Sequence, residues 1–414
     1  MLTVAPDVLL CTIGRALVET LDLSVLGDMA VEATPELAES IWKAWHARAA
    51  NGQKCQELSE LAGLEDDRLE DVVDEVVREL GLPPRDQQTE SIAGYLRLIP
   101  GAIRRRFRRP ANPLGMAAPP GLCLNSSTDL LPLLPVRMPK LQVGDRPWGI
   151  GDWELRELIE LQAAGEVWKA VSPREPSCPP VALHFFTSPA AQRFLRTEAA
   201  PVLDQLMAQG RILGIVPLQQ IHLCADPPCV QYAYLRAADL ASLVQEWRET
   251  KAVVDPLAVA DLIGQIAQTL GALHALKPPI AQHGLRANRI LLMSDGSGRR
   301  RPLLANAGLG GEPAVAEGED SSIRRRRSLL AALPVSPKPT DDIYALGVLW
   351  YQLLVSDLDA SRPGGSSWRR RLAERGMPVP LIDLLESAFD DDPAARPADG
   401  SVLAQRIQQS LPNR

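Results

Sequence analysis

Asp342-Ile343-Tyr344-Ala345-Leu346-Gly347-Val348 and Asp391-Asp392-Pro393-Ala394-Ala395-Arg396-Pro397 are the two stretches whose reading decides the fold of this chain. Both stand in a region beyond Asp255 whose signals are almost entirely helical. Upstream, from Trp148, strand-like runs at Glu166 to Val171 and Val181 to Phe186 alternate with a helix near Gln192 to Met207. That pattern indicates an antiparallel sheet with one helix. Strands first and helices after predict a small sheet lobe, residues 148–236, docked on a helical lobe, residues 237–414.

Working outward, Leu69, Val72, Val73, Val76, Val77 and Leu80 recur at i, i+3, i+4, i+7, i+8 and i+11, one buried face of a helix. Asp66 or Asp67 is placed to cap it, Gly81 to end it in a left-handed conformation, and Pro83 and Pro84 to prevent its continuation. An earlier helix, Pro35 to Arg48, carries Leu37, Ile41, Trp42 and Trp45 on overlapping faces. Residues 1–82 are therefore expected to form a small all-α bundle that buries its own core and serves as an interaction domain.

Between residues 83 and 147 the chain holds Pro110, Pro113, Pro119, Pro120, Pro132, Pro135 and Pro139, with Arg104, Arg105, Arg106, Arg108 and Arg109 around Phe107. This reads as an extended Pro/Arg-rich connector. In an acidic protein its arginines are expected as a solvated segment or an intramolecular clamp on acidic surface, rather than as a site for nucleic-acid or lipid phosphates.

A chain of 414 residues asks for two or three domains. With 46% apolar and 23% charged residues it has an ordinary globular composition, poor in aromatics (4%) and rich in proline (36). A net charge of −7 argues against the whole chain binding nucleic acid or an anionic membrane. Its six cysteines are scattered without metal-ligand spacing and read as reduced thiols. Arg15 and Glu19 interrupt the first apolar run, and no later stretch reaches ~18 uninterrupted apolar residues, so neither a signal peptide nor a membrane span is expected. The expected location is the cytoplasm.

The order of motifs from Trp153 to Leu411 resembles that of bacterial serine/threonine protein kinases. Gly165-Glu166-Val167-Trp168-Lys169-Ala170 resembles the end of the glycine-rich loop with the second strand, and Val181-Ala182-Leu183-His184-Phe185-Phe186 the third strand. Glu198 matches the C-helix glutamate. Val230 to Leu235 is similar to the strand entering the interlobe hinge, with Asp239-Leu240 opening a short helix. Leu262 to Leu276 is similar to the long helix before the catalytic loop. The two opening stretches match the buried anchor helix of the helical lobe and the late arginine motif. The resemblance implies an α+β, two-lobed protein-kinase-like fold, a small antiparallel sheet lobe plus a helical lobe, preceded by the all-α N-terminal domain.

What the resemblance implies about chemistry departs at each catalytic group. The third-strand lysine that neutralises nucleotide phosphates is His184, shorter and mostly neutral at pH 7, and expected to bond to Glu198. In Gln282-His283-Gly284-Leu285-Arg286-Ala287-Asn288-Arg289-Ile290-Leu291-Leu292 the proton-accepting aspartate falls on Gly284 and the metal-holding asparagine on Arg289. Asn288 lies one residue from the metal position, but no shift restores the aspartate. The magnesium-binding Asp-Phe-Gly is Asn306-Ala307-Gly308, a neutral amide in place of a carboxylate. The glycine-rich loop falls on Glu160, Gln162 and Gly165, so two glycines are gone and one position is acidic. No glutamate occurs between Ser321 and Thr340 to pair with Arg396.

The expected function is accordingly a catalytically inactive kinase-like domain, a pseudokinase that regulates or scaffolds through protein partners. No catalytic residue is expected at the degenerate positions His184, Gly284, Arg289 and Asn306, with Glu198 retained. No metal or other cofactor is expected, and ATP would bind weakly and without magnesium in a cleft of Gly165, Val167, Ala182 and Leu235. The alternative is an atypical serine/threonine kinase that recruits His184, His283 or Glu198. A third reading places function in the N-terminal bundle as a docking module. Arg324 to Arg327, with Ser321, Ser322 and Ser328 beside Glu317, Glu319 and Asp320, read as a flexible solvated loop, or as a phosphorylation-controlled docking loop.

Overall fold

The computed structural model describes residues 7–20, 33–83, 86–109, 115, 118, 122, 124–162, 165–210, 212–282, 284–294, 300–309 and 338–412. His283, the run Arg324 to Arg327 with its serines and acids, and Pro110, Pro113, Pro119 and Pro120 lie outside them. Contacts divide the chain into two compact units, residues 1–145 with 155–168, and residues 146–154 with 169–414.

In the first unit, helices α1 (Asp7–Thr20), α2 (Pro35–Arg48), α3 (Asn51–Ala62) and α4 (Asp66–Glu79) surround one apolar core. Helix α2 starts where expected because Thr34 accepts the Leu37 N–H at 3.1 Å and Pro35 occupies the first turn, where no N–H is needed. Leu37, Ile41 and Trp45 are buried and Trp42 is half-buried, so the tryptophans serve packing. The Trp45 indole donates to Glu57 at 2.8 Å, and Glu57 also holds Arg48. Gly81 ends the α4 region at φ +67, as its position suggested. The cap differs: Glu65 is the N-cap and makes no side-chain bond. Asp67 sits in the first turn, where a carboxylate is favoured by the positive end of the helix dipole.

The extended connector is corrected. Residues Gln87–Arg106 form helix α5, capped by Asp86, which accepts the Gln88 N–H at 3.2 Å. Ile92, Tyr95, Leu96, Ile99 and Ile103 are buried along one stripe, and the Tyr95 hydroxyl donates to the Pro135 carbonyl at 2.9 Å. Burial pushes the Tyr95 phenol well above its ordinary range. The prolines that suggested an open chain come after the helix, apart from Pro100. The basic run at its end is an intramolecular clamp. Arg104 donates to the carbonyls of Ala62 (3.0 Å) and Leu64 (3.4 Å), Arg105 to Leu158 (3.2 Å), and Arg108 pairs with Glu157 (3.3 Å). Burial, with Arg108 and Arg104 adding repulsion, lowers the pKa of Arg105 to about 10, which leaves it charged at neutral pH.

Strands β1 (Glu154–Leu161), β2 (Gly165–Val171), β3 (Val181–Phe186), β4 (Leu218–His222) and β5 (Cys229–Ala233) form a sheet of order β1-β2-β3-β5-β4. Strands β3 and β5 are antiparallel, with Ala182 opposite Tyr232 and His184 opposite Val230. The single helix expected over 192–207 runs as α6 (Pro189–Phe194), a π-helical turn (Leu195–Ala199) and α7 (Ala200–Ala208). Pro201 explains the turn: it has no N–H to donate and its ring crowds the carbonyl of Thr197, so the helical ladder slips there.

Helices α8 (Leu240–Thr250), α9 (Pro256–His274), α10 (Pro339–Val355), α11 (Ser367–Glu374), α12 (Val379–Ala388) and α13 (Gly400–Ser410) form the helical part, with a small sheet of β6 (Ala238–Asp239), β7 (Ile290–Ser294) and β8 (Arg300–Leu304). Among the described residues α9 alone is long and apolar enough to cross a membrane, and 61% of it is buried inside this core. It meets α13 backbone to backbone. A Cβ on Gly271 would lie 2.5 Å from the Ser401 nitrogen, and one on Gly400 2.4 Å from the Ala267 oxygen. Gly271→Ala should therefore destabilise by about 1–3 kcal/mol, read as a lower urea midpoint; an unchanged midpoint would show that the helices separate freely.

Candidate functional site

The site is built on Asp342, buried at the start of α10. Its Oδ2 accepts the Gln282 N–H at 2.6 Å and lies 3.0 Å from Nε2 of His274. The Gly400 N–H donates to Nδ1 of His274 at 3.1 Å, so the imidazole proton sits on Nε2 and is donated to Asp342. One carboxylate thus ties the loop after α9 to α9 itself, and through His274 to α13. A buried carboxylate in a helical core requires such donors.

From this anchor two loops lie side by side. The Gln282 side-chain amide donates to the Asn306 carbonyl at 3.3 Å, and its oxygen accepts the Gly308 N–H at 3.3 Å. Gly284 has φ +78 and Asn306 φ +54, left-handed conformations that glycine and asparagine tolerate. Residues Ala287–Arg289 make one 3-10 turn, and the Arg289 carbonyl accepts the Ala305 N–H at 2.8 Å. The backbone thereby brings Gly284, Arg289 and Asn306 into one neighbourhood. As a donor set they offer one neutral amide and no carboxylate, which does not fit a hard dication. Among the described residues no group of three His, Cys, Asp or Glu side chains is placed to hold a metal.

On β3, His184 is fully buried and stacks on Phe186, with ring centroids 4.6 Å apart. Alternation sets Ala182, His184 and Phe186 on one face, shared with Tyr232 and Val230 across the ladder. The bond expected from His184 to Glu198 is corrected. Glu198 is exposed on the π-helical turn and makes no hydrogen bond or ion pair among the described residues. A one-residue slip turns side chains by about 100° around a helix axis, and the sequence periodicity alone did not reveal that slip.

Of the expected nucleotide contacts, Gly165 is buried and Val167 half-buried on β2 in the first unit. Ala182 on β3 and Leu235, just past β5, are half-buried in the second. Glu160 and Gly165, expected as glycine-loop positions, lie on β1 and β2, and the Gln162 N–H donates to the Gly165 carbonyl at 2.9 Å.

Arg137 grips this pair of strands. Its Nε donates to the Gln162 carbonyl (3.0 Å), Nη2 to the Gly165 carbonyl (3.2 Å), and Nη1 to the Met138 carbonyl (2.7 Å) and Glu166 (3.0 Å). Glu166, fully buried, also accepts the backbone N–H groups of Lys140 (2.6 Å) and Leu141 (3.3 Å) and the Trp168 indole N–H (3.0 Å). Neither residue was singled out from sequence. The available signal was the strand alternation, which sets Glu166 on the inward face with Trp168 and so demands donors for it.

Arg396 also finds partners that the sequence did not disclose. Its guanidinium donates to the carbonyls of Asp390 (2.7 Å), Thr340 (3.1 Å) and Asp391 (3.3 Å), stands 3.8 Å from the Asp341 carboxylate, and lies 4.8 Å from the Tyr344 ring centre.

Neither the family models nor the curated proteins contain a match to this chain. Among solved structures it is similar to a double-mutant form of the kinase domain of Mycobacterium tuberculosis PknI, with 19% identity over 66% of this chain and 100% of that one, TM-score 0.49. A single-mutant form of the same domain gives 18% identity, 66% and 99% coverage, and TM-score 0.49. The domain without stated substitutions gives 19%, 65%, 99% and 0.47. The fold of the chain is α+β, an antiparallel sheet followed by a helical part, with an all-α region before it.

Proposed function

We propose that this chain is a pseudokinase: a kinase-like protein that regulates or scaffolds through protein partners and does not transfer phosphate. The observation that carries the reading is the contrast between frame and contents. The Asp342 anchor holds the loops of Gly284, Arg289 and Asn306 together, yet those positions supply neither a proton acceptor nor a carboxylate for magnesium. Groups that act as a unit in phosphoryl transfer leave little activity once several are lost together. The buried His184 supports the same reading, because an imidazole held against Phe186 offers no fixed charge to a triphosphate. In this proposal ATP is bound weakly or not at all, and without magnesium.

The test is a thermal-shift titration of the full chain with ATP, with and without magnesium, alongside an autophosphorylation assay. A ligand at a hundred times its Kd stabilises by ~2.7 kcal/mol, which raises the Tm of a domain of this size by roughly 5–10 °C. The expected result is no magnesium-dependent rise and no phosphate incorporation. A magnesium-dependent rise with turnover would restore the atypical-kinase reading.

A further inference from the structure

The helical part of the second unit carries a surface that the candidate site does not use. Two hollows, of about 750 and 380 Å³, both include Trp247, Val253 and Val254 in their walls. The larger runs between α8, α9 and α13, with the buried side chains of Leu243, Leu262 and Ile407 along it and Arg300 and Arg301 of β8 beside them. The smaller reaches the ends of α8 and α10 at Arg248, Lys251 and Val355, with Arg375. Val253, in the link from α8 to α9, is 94% exposed. An apolar surface rimmed by polar groups marks an interaction site more often than a lone exposed valine does.

The charges around it are lopsided. Its two acids have local tasks, Asp255 accepting the Leu257 N–H at 2.9 Å and Asp261 the Gln265 amide at 3.1 Å. Arg375 donates to the carbonyls of Leu354 (2.6 Å) and Val254 (2.9 Å). Arg248, Lys251, Arg300 and Arg301 are exposed and make no ion pair among the described residues. In a chain of net charge −7 this is a local reversal of sign around a hollow whose walls are part apolar and part polar. Its complement is a segment that is both apolar and acidic.

We propose that this surface docks an acidic, apolar-anchored peptide segment of a partner protein. Leu- or Phe-sized side chains seat beside Trp247 and Val253, and flanking carboxylates meet Arg300 and Arg301 on one side and Arg248 and Lys251 on the other. Apolar anchors in desolvated hollows supply most of the affinity of such contacts, and the charges set orientation and salt dependence. A nucleic-acid strand would use the cations and leave the apolar floor empty. The inference goes beyond the pseudokinase reading and does not rest on it, so a failed peptide titration leaves the ATP result standing, and the reverse also holds.

The test uses the full chain and a fluorescein-labelled peptide of Leu-Glu-Phe-Asp repeats, read by fluorescence anisotropy. Saturable binding that weakens with salt is expected, with a loss of roughly tenfold or more in the paired Arg300→Glu and Arg301→Glu variant and in Val253→Asp. Arg248→Glu with Lys251→Glu provides a second variant should either of those lower the Tm. Absence of binding, equal binding by a peptide with Lys in place of the acids, equal binding by one with Gly in place of Leu and Phe, or unchanged binding in all variants would overturn the proposal. So would a concentration-dependent dimer whose formation the same variants abolish, because the occupant would then be a second copy of the chain.

Discussion

Glu166→Ala is expected to lower stability by about 3–5 kcal/mol, the range for removing one partner of a buried, hydrogen-bonded ion pair. The carboxylate accepts from Arg137, the backbone of Lys140 and Leu141, and the Trp168 indole. Alanine would remove the acceptor shared by three uncharged donors and deprive the Arg137 guanidinium of this carboxylate. Glu166→Gln should fall between alanine and the native residue, since one oxygen remains but the added NH₂ faces donors. The readout is the urea midpoint, with amide exchange across residues 137–168 reporting where the loss is felt. A fall of less than about 1 kcal/mol in the alanine variant would mean that backbone packing, and not the carboxylate, secures the β1–β2 pair.

Asp342→Ala should be nearly as damaging, by about 3–5 kcal/mol, because hydrogen bonds to a charged group contribute ~1.5–3 kcal/mol each and two converge on one oxygen. Asp342→Asn is the informative comparison. Its remaining carbonyl oxygen reaches both His274 and Gln282, so a smaller loss of about 1–2 kcal/mol is expected. The Gln282 amide should exchange faster with deuterium in the alanine variant and stay protected in the asparagine variant. Equal losses in the two variants would show that the negative charge, and not the oxygen's position, holds the loop.

Much of the architecture was legible in residue order. The α2 helix could be bounded from Pro35 to Arg48 because Leu37, Ile41, Trp42 and Trp45 fall on overlapping faces of one helical period. The π-helical turn was not legible, since Pro201 announces a disturbance but not the direction of the slip, and so Glu198 could not be placed relative to His184. Helix α5 was overlooked because the prolines after it dominate the composition of the segment, although the stripe from Ile92 to Ile103 has helical spacing. The partners of Arg396 could not be sought among side chains, because most are backbone carbonyls, which any residue carries.

Sequence by itself determined what is chemically present at each position, a glycine at Gly284, an arginine at Arg289 and an asparagine at Asn306, and the helical and strand periods that frame them. Tertiary structure alone decided which of these groups meet. Arg137 reaches Glu166 across 29 positions and Asp342 reaches Gln282 across 60. Such contacts depend on where whole elements settle once their apolar faces are buried, which no local pattern encodes.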